Sequence, residues 1–380
     1  MPFYCGRDPI TLEHLEVEVD GGVISAVRSL PELVGDLWLA PGLIDLQVNG
    51  YRGIDLNGDD CDVATIVRLT RMLVGVGTTT FLPTIITADV ASMSARLRAV
   101  AQARAENREV ARAIPCIHME GPYISPKDGY RGAHPLADVR PPSLEEFDRL
   151  QAAADGLIGL VTLSPHWPDA DQFIRALCAR GVVVSLGHTH ASAEQIHRAV
   201  DAGAQLSTHL GNGLASVLSR HSNPVWAQLA EDRLSASFIA DGSHLSTDIF
   251  RVMLRAKGVD RSILVSDSVA LAGIAPGNYC SHIGGEVAVH SDGSIRMRSS
   301  GLLAGSGIAL KDAVSRAPAL SGYTLGDAIR MATCNAADLL NLNAGRIVPG
   351  APADLLLFRW KHGDLSLQVE TVVIHGDLIT

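Results

Sequence analysis

Between residues 43 and 266 the sequence repeats one rhythm, a short apolar run followed in most cases by a helical stretch, eight times over. The apolar runs fall at 43–48, 78–86, 113–119, 157–163, 182–186, 204–208, 234–240 and 262–266. Runs this short and this continuously apolar read as strands buried on both faces. The periodic stretches at 63–74, 88–105, 144–154, 171–180, 192–202 and 248–257 read as the helices between them. Eight strands interleaved with helices fit a closed α/β architecture, a (β/α)8 TIM-like barrel, better than an open sheet.

The flanks keep a different rhythm. Residues 15–19 and 23–27 read as strands around the turn Asp20-Gly21-Gly22, and Pro41-Gly42 ends that region. The tail is strand-like again at 354–358 and 370–375. The simplest arrangement joins residues 1–40 and 344–380 in a small β-sandwich beside a barrel at 41–343. A segment near 279–298, with Gly284-Gly285 and Asp292-Gly293, reads as a β-hairpin inserted after the eighth strand.

Composition narrows the partners more than the fold. The 380-residue chain carries 31 Lys and Arg against 41 Asp and Glu, a formal net charge of −10. That balance argues against nucleic acid or an anionic membrane as the main partner, while a small anionic substrate can still meet a locally positive site. The cysteines, Cys5, Cys61, Cys116, Cys178, Cys280 and Cys334, form no CxxC pair and read as thiols in a reducing compartment. No apolar run approaches the roughly 20 residues of a membrane span. The first residues also lack the basic and apolar regions of a signal peptide. A cytoplasmic protein is the expectation.

Barrel active sites lie at the C-terminal ends of the strands. In this count those ends carry Gln47, Asn49, Glu120, His188, His209, His244 and Asp267. His188 and His209 close the fifth and sixth runs, so their imidazoles can reach a single point. Two imidazoles at one point suggest a transition metal, most often zinc. Glu120, in His118-Met119-Glu120-Gly121-Pro122, offers a third ligand. One Glu and two His leave a coordination position open for water, as in catalytic sites. Asp267 ends the eighth run, where a carboxylate can serve as general base toward that water. Taken singly, Glu120 would read as a solvated carboxylate and Asp267 as a cap or salt-bridge partner.

His118 shares a side of the pleat with Glu120 and reads as packing or support, since a ligand role would need a second metal. His134 and His244 can each orient or polarise a substrate, although a lone loop histidine is more often merely exposed. His190, His197 and His221 read as surface or helix residues.

At these residues the chain resembles the amidohydrolase superfamily and, within it, the N-acetylglucosamine-6-phosphate deacetylase family. The likeness runs through 40–50, 118–122, 187–189, 208–212, 240–244 and 265–267, and through the closing stretches 331–337 and 350–355. It implies the same barrel with its flanking β-sandwich, one divalent metal ion on Glu120, His188 and His209, and Asp267 as acid and base. Zinc is the first choice of metal, with iron, cobalt or manganese as alternatives. Many superfamily members bind a second metal through His-x-His after the first strand. Here that slot reads Gln47-Val48-Asn49, and amides are poor zinc ligands, so a single metal is expected. By the same resemblance His134 polarises an acetyl carbonyl, Asn212, Gly213 and His244 contact a sugar phosphate, and the protein is a homodimer. The implied reaction converts N-acetylglucosamine 6-phosphate to glucosamine 6-phosphate and acetate.

One departure bears on the substrate. The family usually carries an Arg-Glu-Pro or similar segment after the second histidine, whose Arg grips the phosphate, often across a dimer interface. Here the segment is Leu218-Ser219-Arg220-His221-Ser222-Asn223-Pro224. Aligning the prolines puts Ser222 at the Arg position, with Arg220 and His221 as the nearest substitutes. Serine cannot offer the bidentate recognition of a guanidinium. The alternatives are therefore an unphosphorylated N-acetyl sugar, the galacto epimer or another N-acyl substrate. A catalytically dead barrel acting as a scaffold would lack ligands or base, whereas Glu120, His188, His209 and Asp267 are all present.

Overall fold

The computed structural model describes residues 1–31 and 35–379. Eight parallel strands follow one another in sequence order: Leu43–Val48 (β1), Thr78–Ile86 (β2), Ile117–Glu120 (β3), Ile158–Leu163 (β4), Val183–Leu186 (β5), Leu206–Ser207 (β6), Ser235–Ile239 (β7) and Ser262–Val265 (β8). Helices cover the intervals, and their starts are set by side-chain caps. Asp62 accepts from Thr65 N to open the helix Val63–Val74, and Ser192 with Gln195 forms a capping box for Ala193–Asp201.

The ring closes between β1 and β8 just beyond their ends. There Asp267 N donates to Gln47 O at 3.0 Å and Asn49 N donates to Ser268 O at 2.8 Å. Deeper down, the Asp45 carboxylate accepts from Ser266 N at 3.1 Å. Ile44, Leu82, Leu160, Leu206 and Ile263 fill the lower barrel against Ala336 and Ala337. Those alanines come from the helix Cys334–Leu339, and their small size lets it lie directly under the floor. Asn335 ties it there, donating to Val259 O at 2.7 Å and Ser262 O at 2.8 Å.

Several segments differ from the sequence reading. The third strand was expected over 113–119, yet Arg108–Ala113 is a helix and the strand begins at Ile117. Asn107 causes this, because its side chain accepts from Glu109 N and Val110 N and restarts a helix where the preceding one ends. The insertion is three strands rather than one hairpin, Gly277–Ser281, Gly285–Val289 and Ile295–Met297. At the N-terminus, Phe3–Arg7 and Trp38–Pro41 are additional strands.

The strands of both termini combine in one seven-stranded sheet, in which Trp38–Pro41 pairs antiparallel with Leu355–Arg359. Leu355 and Leu357 join the sheet's own core, while Leu356 and Phe358 face the main core. Burial on both faces is why that strand is continuously apolar. The inserted sheet packs Ile283, Val287 and Ile295 against Ile86 and Val269, over the mouth of the barrel. Among the described residues no helix is long and apolar enough to cross a membrane.

Candidate active site

Glu120 ends β3, His188 and His209 lie two residues beyond β5 and β6, and their side chains meet. Glu120 Oε1 lies 2.9 Å from His209 Nε2 and 3.3 Å from His188 Nε2, and the two Nε2 atoms are 3.1 Å apart. The backbone turns sharply at these points. His188 has φ +46°, His209 +29° and Asp267 +49°, left-handed conformations that are costly for residues other than glycine. Gly213 is a glycine by necessity, since it has φ +59° and a Cβ there would lie 2.7 Å from His188 Nδ1.

The donor set fits a divalent cation. His188 Nδ1 donates to Tyr130 O at 2.9 Å, which leaves a lone pair on Nε2 facing the other two groups. Metal bonds of about 2.0–2.2 Å at tetrahedral angles would separate ligand atoms by roughly 3.3–3.5 Å, close to the spacings found. Burial alone would raise the Glu120 pKa, but His188 and His209 hold it well below the usual carboxylate range. Burial would lower the His209 pKa, but the Glu120 hydrogen bond together with the Glu120 and Asp267 charges raises it. His209 Nδ1 is buried without a hydrogen-bond partner. A second trio also gathers here, since one ligand atom each from Glu120, His134 and His188 lies within 4.8 Å of the others. The Glu120, His188 and His209 contacts are shorter and make the better set.

Gln47 and Asn49 occupy the His-x-His slot as hydrogen-bond donors. Gln47 Nε2 donates to Glu120 Oε1 at 2.9 Å, and Asn49 Nδ2 donates to Asp267 Oδ1 at 2.8 Å. Burial, then the nearby Glu120 charge, pushes the Asp267 pKa up to about 6. His118 is fully buried below the site, with Nδ1 3.1 Å from Leu46 O and Nε2 2.8 Å from Thr162 Oγ1. Burial pushes its pKa down to about 4, so it stands as neutral support for the floor. His134 is buried, its ring edge against His188 and its Nδ1 2.9 Å from Thr87 Oγ1. Burial, then the neighbouring His188, pushes its pKa down to about 3.

A cavity of about 350 Å³ opens above these groups. Its wall includes Asn49, Glu120, His134, His188, His209 and Asp267, and farther out Asn212, Gly213 and His244. His244 Nδ1 is bonded to Asp241 Oδ2 at 2.7 Å, and both side chains are nearly buried. Burial would raise the Asp241 pKa, but the His244 bond and charge, with the backbone N–H groups of Ser243 and His244, together lower it. Asn212 Nδ2 donates to His209 O at 3.1 Å, so the 210–213 loop is anchored on His209. Arg220, His221 and Ser222 are exposed and lie outside the cavity wall of the single chain.

Sequence reasoning missed Thr87, the Tyr130 carbonyl and Asp241. Asp241 had a signal, because it precedes His244 by three residues in a tight Asp-Gly-Ser-His turn. His190 is half-buried rather than a surface residue, with Nδ1 2.6 Å from Ser125 Oγ.

A family model described as the amidohydrolase family matches residues 38–379. The N-acetylgalactosamine-6-phosphate deacetylase of Escherichia coli O157:H7 is 32% identical, covering 97% of this chain and 95% of its own length. The Homo sapiens N-acetylglucosamine-6-phosphate deacetylase is also 32% identical, over 90% of this chain and 83% of its own. A mutant of N-acetyl-D-glucosamine-6-phosphate deacetylase from Mycobacterium smegmatis, solved in complex with N-acetyl-D-glucosamine-6-phosphate, superposes with a TM-score of 0.85. It is 28% identical and covers 97% of this chain and 95% of its own.

Proposed function

The chain belongs to the amidohydrolase family, and on that premise we propose that it hydrolyses N-acetylglucosamine 6-phosphate to glucosamine 6-phosphate and acetate. The observation that carries this reading is the convergence of Glu120, His188 and His209 within 3.3 Å, beside Asp267 in one cavity.

Glu120, His188 and His209 would hold a divalent ion, with zinc the best match to one carboxylate and two imidazoles, and that ion would supply Lewis acidity toward water and the acetyl carbonyl. Asp267 accepts the water's proton as the oxygen attacks the acetyl carbonyl carbon. His134, neutral at working pH, steadies the developing oxyanion from Nε2. That role requires Nδ1 to accept from the Thr87 hydroxyl, which leaves the proton on Nε2. The C–N bond then breaks, its electron pair stays on nitrogen, and Asp267 returns the proton there. His244, Asn212 and Gly213 receive the phosphate end. In a homodimer, the exposed loop with Arg220 and His221 is available to a second copy's cavity. Unpaired cysteines and a phosphorylated metabolite both suit the cytoplasm.

The galacto epimer is the second reading, supported by the near-complete coverage of the E. coli relative. Acetate release from both epimers, each with and without the 6-phosphate, separates the readings. The expected result is kcat/KM at least about tenfold higher on the phosphorylated gluco sugar, or about 1.4 kcal/mol. Equal rates with and without phosphate would rule out the phosphate contact, and a faster galacto epimer would shift the substrate.

A further inference from the structure

Asn49 looks like a vacated ligand position, but its amide has two unequal ends. Nδ2 donates to Asp267 Oδ1 at 2.8 Å, whereas Oδ1 is buried with no hydrogen-bond partner. The residue is 3% exposed and lines the catalytic cavity. Its orientation follows from chemistry, since flipping the amide would set Oδ1 against the Asp267 carboxylate, two acceptors in contact. The backbone fixes it further. Asn49 N donates to Ser268 O and Asp267 N donates to Gln47 O, so the amide and the carboxylate sit on two strands stitched together at this level. A buried acceptor without a donor carries a free-energy cost that a ligand's N–H or O–H can remove.

Building on the deacetylase reading, we propose that Asn49 Oδ1 accepts the N–H of the scissile amide, so that one carboxamide links the leaving nitrogen to Asp267. The proton Asp267 takes from water must reach that nitrogen as the C–N bond breaks and the electron pair moves onto it. Holding the N–H on one end of Asn49 and the acid on the other directs the nitrogen's new lone pair toward the proton donor. Gln47 provides the contrast. Its amide also donates to an active-site carboxylate, Glu120, but it does not line the cavity and has no route to the substrate.

Asn49→Leu keeps the volume and removes both polar ends. Steady-state kinetics would compare the acetamido sugar phosphate with an analogue carrying an acetyl ester oxygen in place of the N–H. On the amide, kcat should fall about 100-fold with KM within about threefold. On the ester the fall should stay within about tenfold, through the weaker hold on Asp267 alone. Equal falls on the two substrates would overturn the substrate contact. A fall of less than about threefold on the amide would overturn the whole proposal. Melting temperature and metal content of the same preparations serve as controls. If Asn49→Leu does not fold, Asn49→Ser should show the same greater loss on amide than on ester, and its absence there counts equally against the proposal. Wild-type protein that cleaves neither substrate overturns the deacetylase reading itself, a result distinct from any loss confined to the variants.

Discussion

The two sides of the cavity are built by different means. On the proposed metal side, Glu120, His188 and His209 lie at the ends of β3, β5 and β6, and contacts of 2.9 Å from Gln47 to Glu120, from His188 to the Tyr130 carbonyl and between Glu120 and His209 hold them in place. On the proposed sugar side, Asn212, Gly213 and His244 sit on loops, and beyond Gly213 the chain is exposed at Arg220, His221 and Ser222. A sheet whose register is fixed on both faces can bring side chains from distant positions together and keep them there. A loop can change its side chains without disturbing that register. In this molecule the proposed metal ligands and base are therefore placed by the barrel strands, whereas the proposed substrate contacts are placed by loops.

The comparison breaks most visibly on the metal side. His209→Ala, or chelation of wild-type protein, should remove activity by more than about 10³-fold, since a metal contributes several kcal/mol at about 1.4 kcal/mol per decade. Metal analysis and restoration by added divalent ion check the cause. Asp267→Asn should lower kcat by about 10²–10⁴-fold while the metal stays bound. Substantial residual turnover there would move the base elsewhere.

The acid limb of kcat/KM follows from the same residue. Asp267 is raised to about 6 and must be ionised to accept a proton, so activity falls as pH drops through that value. A bound cation favours the charged form and moves the limb lower, which places it at or below about pH 6. A limb near pH 8 would point to another group.

On the sugar side the effects should be smaller. Asp241→Asn frees His244, and KM for the phosphorylated sugar should rise about tenfold with kcat within about threefold. Arg220→Ala and His221→Ala should change kcat/KM by less than about threefold if one chain completes its own site. A larger loss, dependent on protein concentration, would mean that a second copy supplies them.

How much could be read in the sequence divides along the same line. β1 and the helix Val63–Val74 are local statements, a continuous apolar run and a capped periodic helix, and both fall at the expected residues. Glu120, His188, His209 and Asp267 were legible because strand order places their ends on one face. The start of β3 was hidden by the apolar character of 113–117, which outweighed the Asn107 cap just before it. The Tyr130 carbonyl and Thr87 carry no signal in one dimension, because their roles arise only when the 129–134 loop folds back over β2 and β5. Arg220 and His221 were read as stand-ins for an arginine from spacing alone, and spacing says nothing about which way an exposed loop faces.

The barrel's closure between β1 and β8 carries a consequence for its native-state fluctuations. The backbone bonds that shut the ring, at Asn49, Asp267 and Ser268, belong to Asp267, the proposed general base, and to the residues around it. Any opening of the ring at that edge therefore unmakes the base in the same event. Amide hydrogen exchange at Asn49 and Asp267 should show one common protection factor, and the opening equilibrium it reports would give the fraction of molecules with the ring closed without any substrate being added.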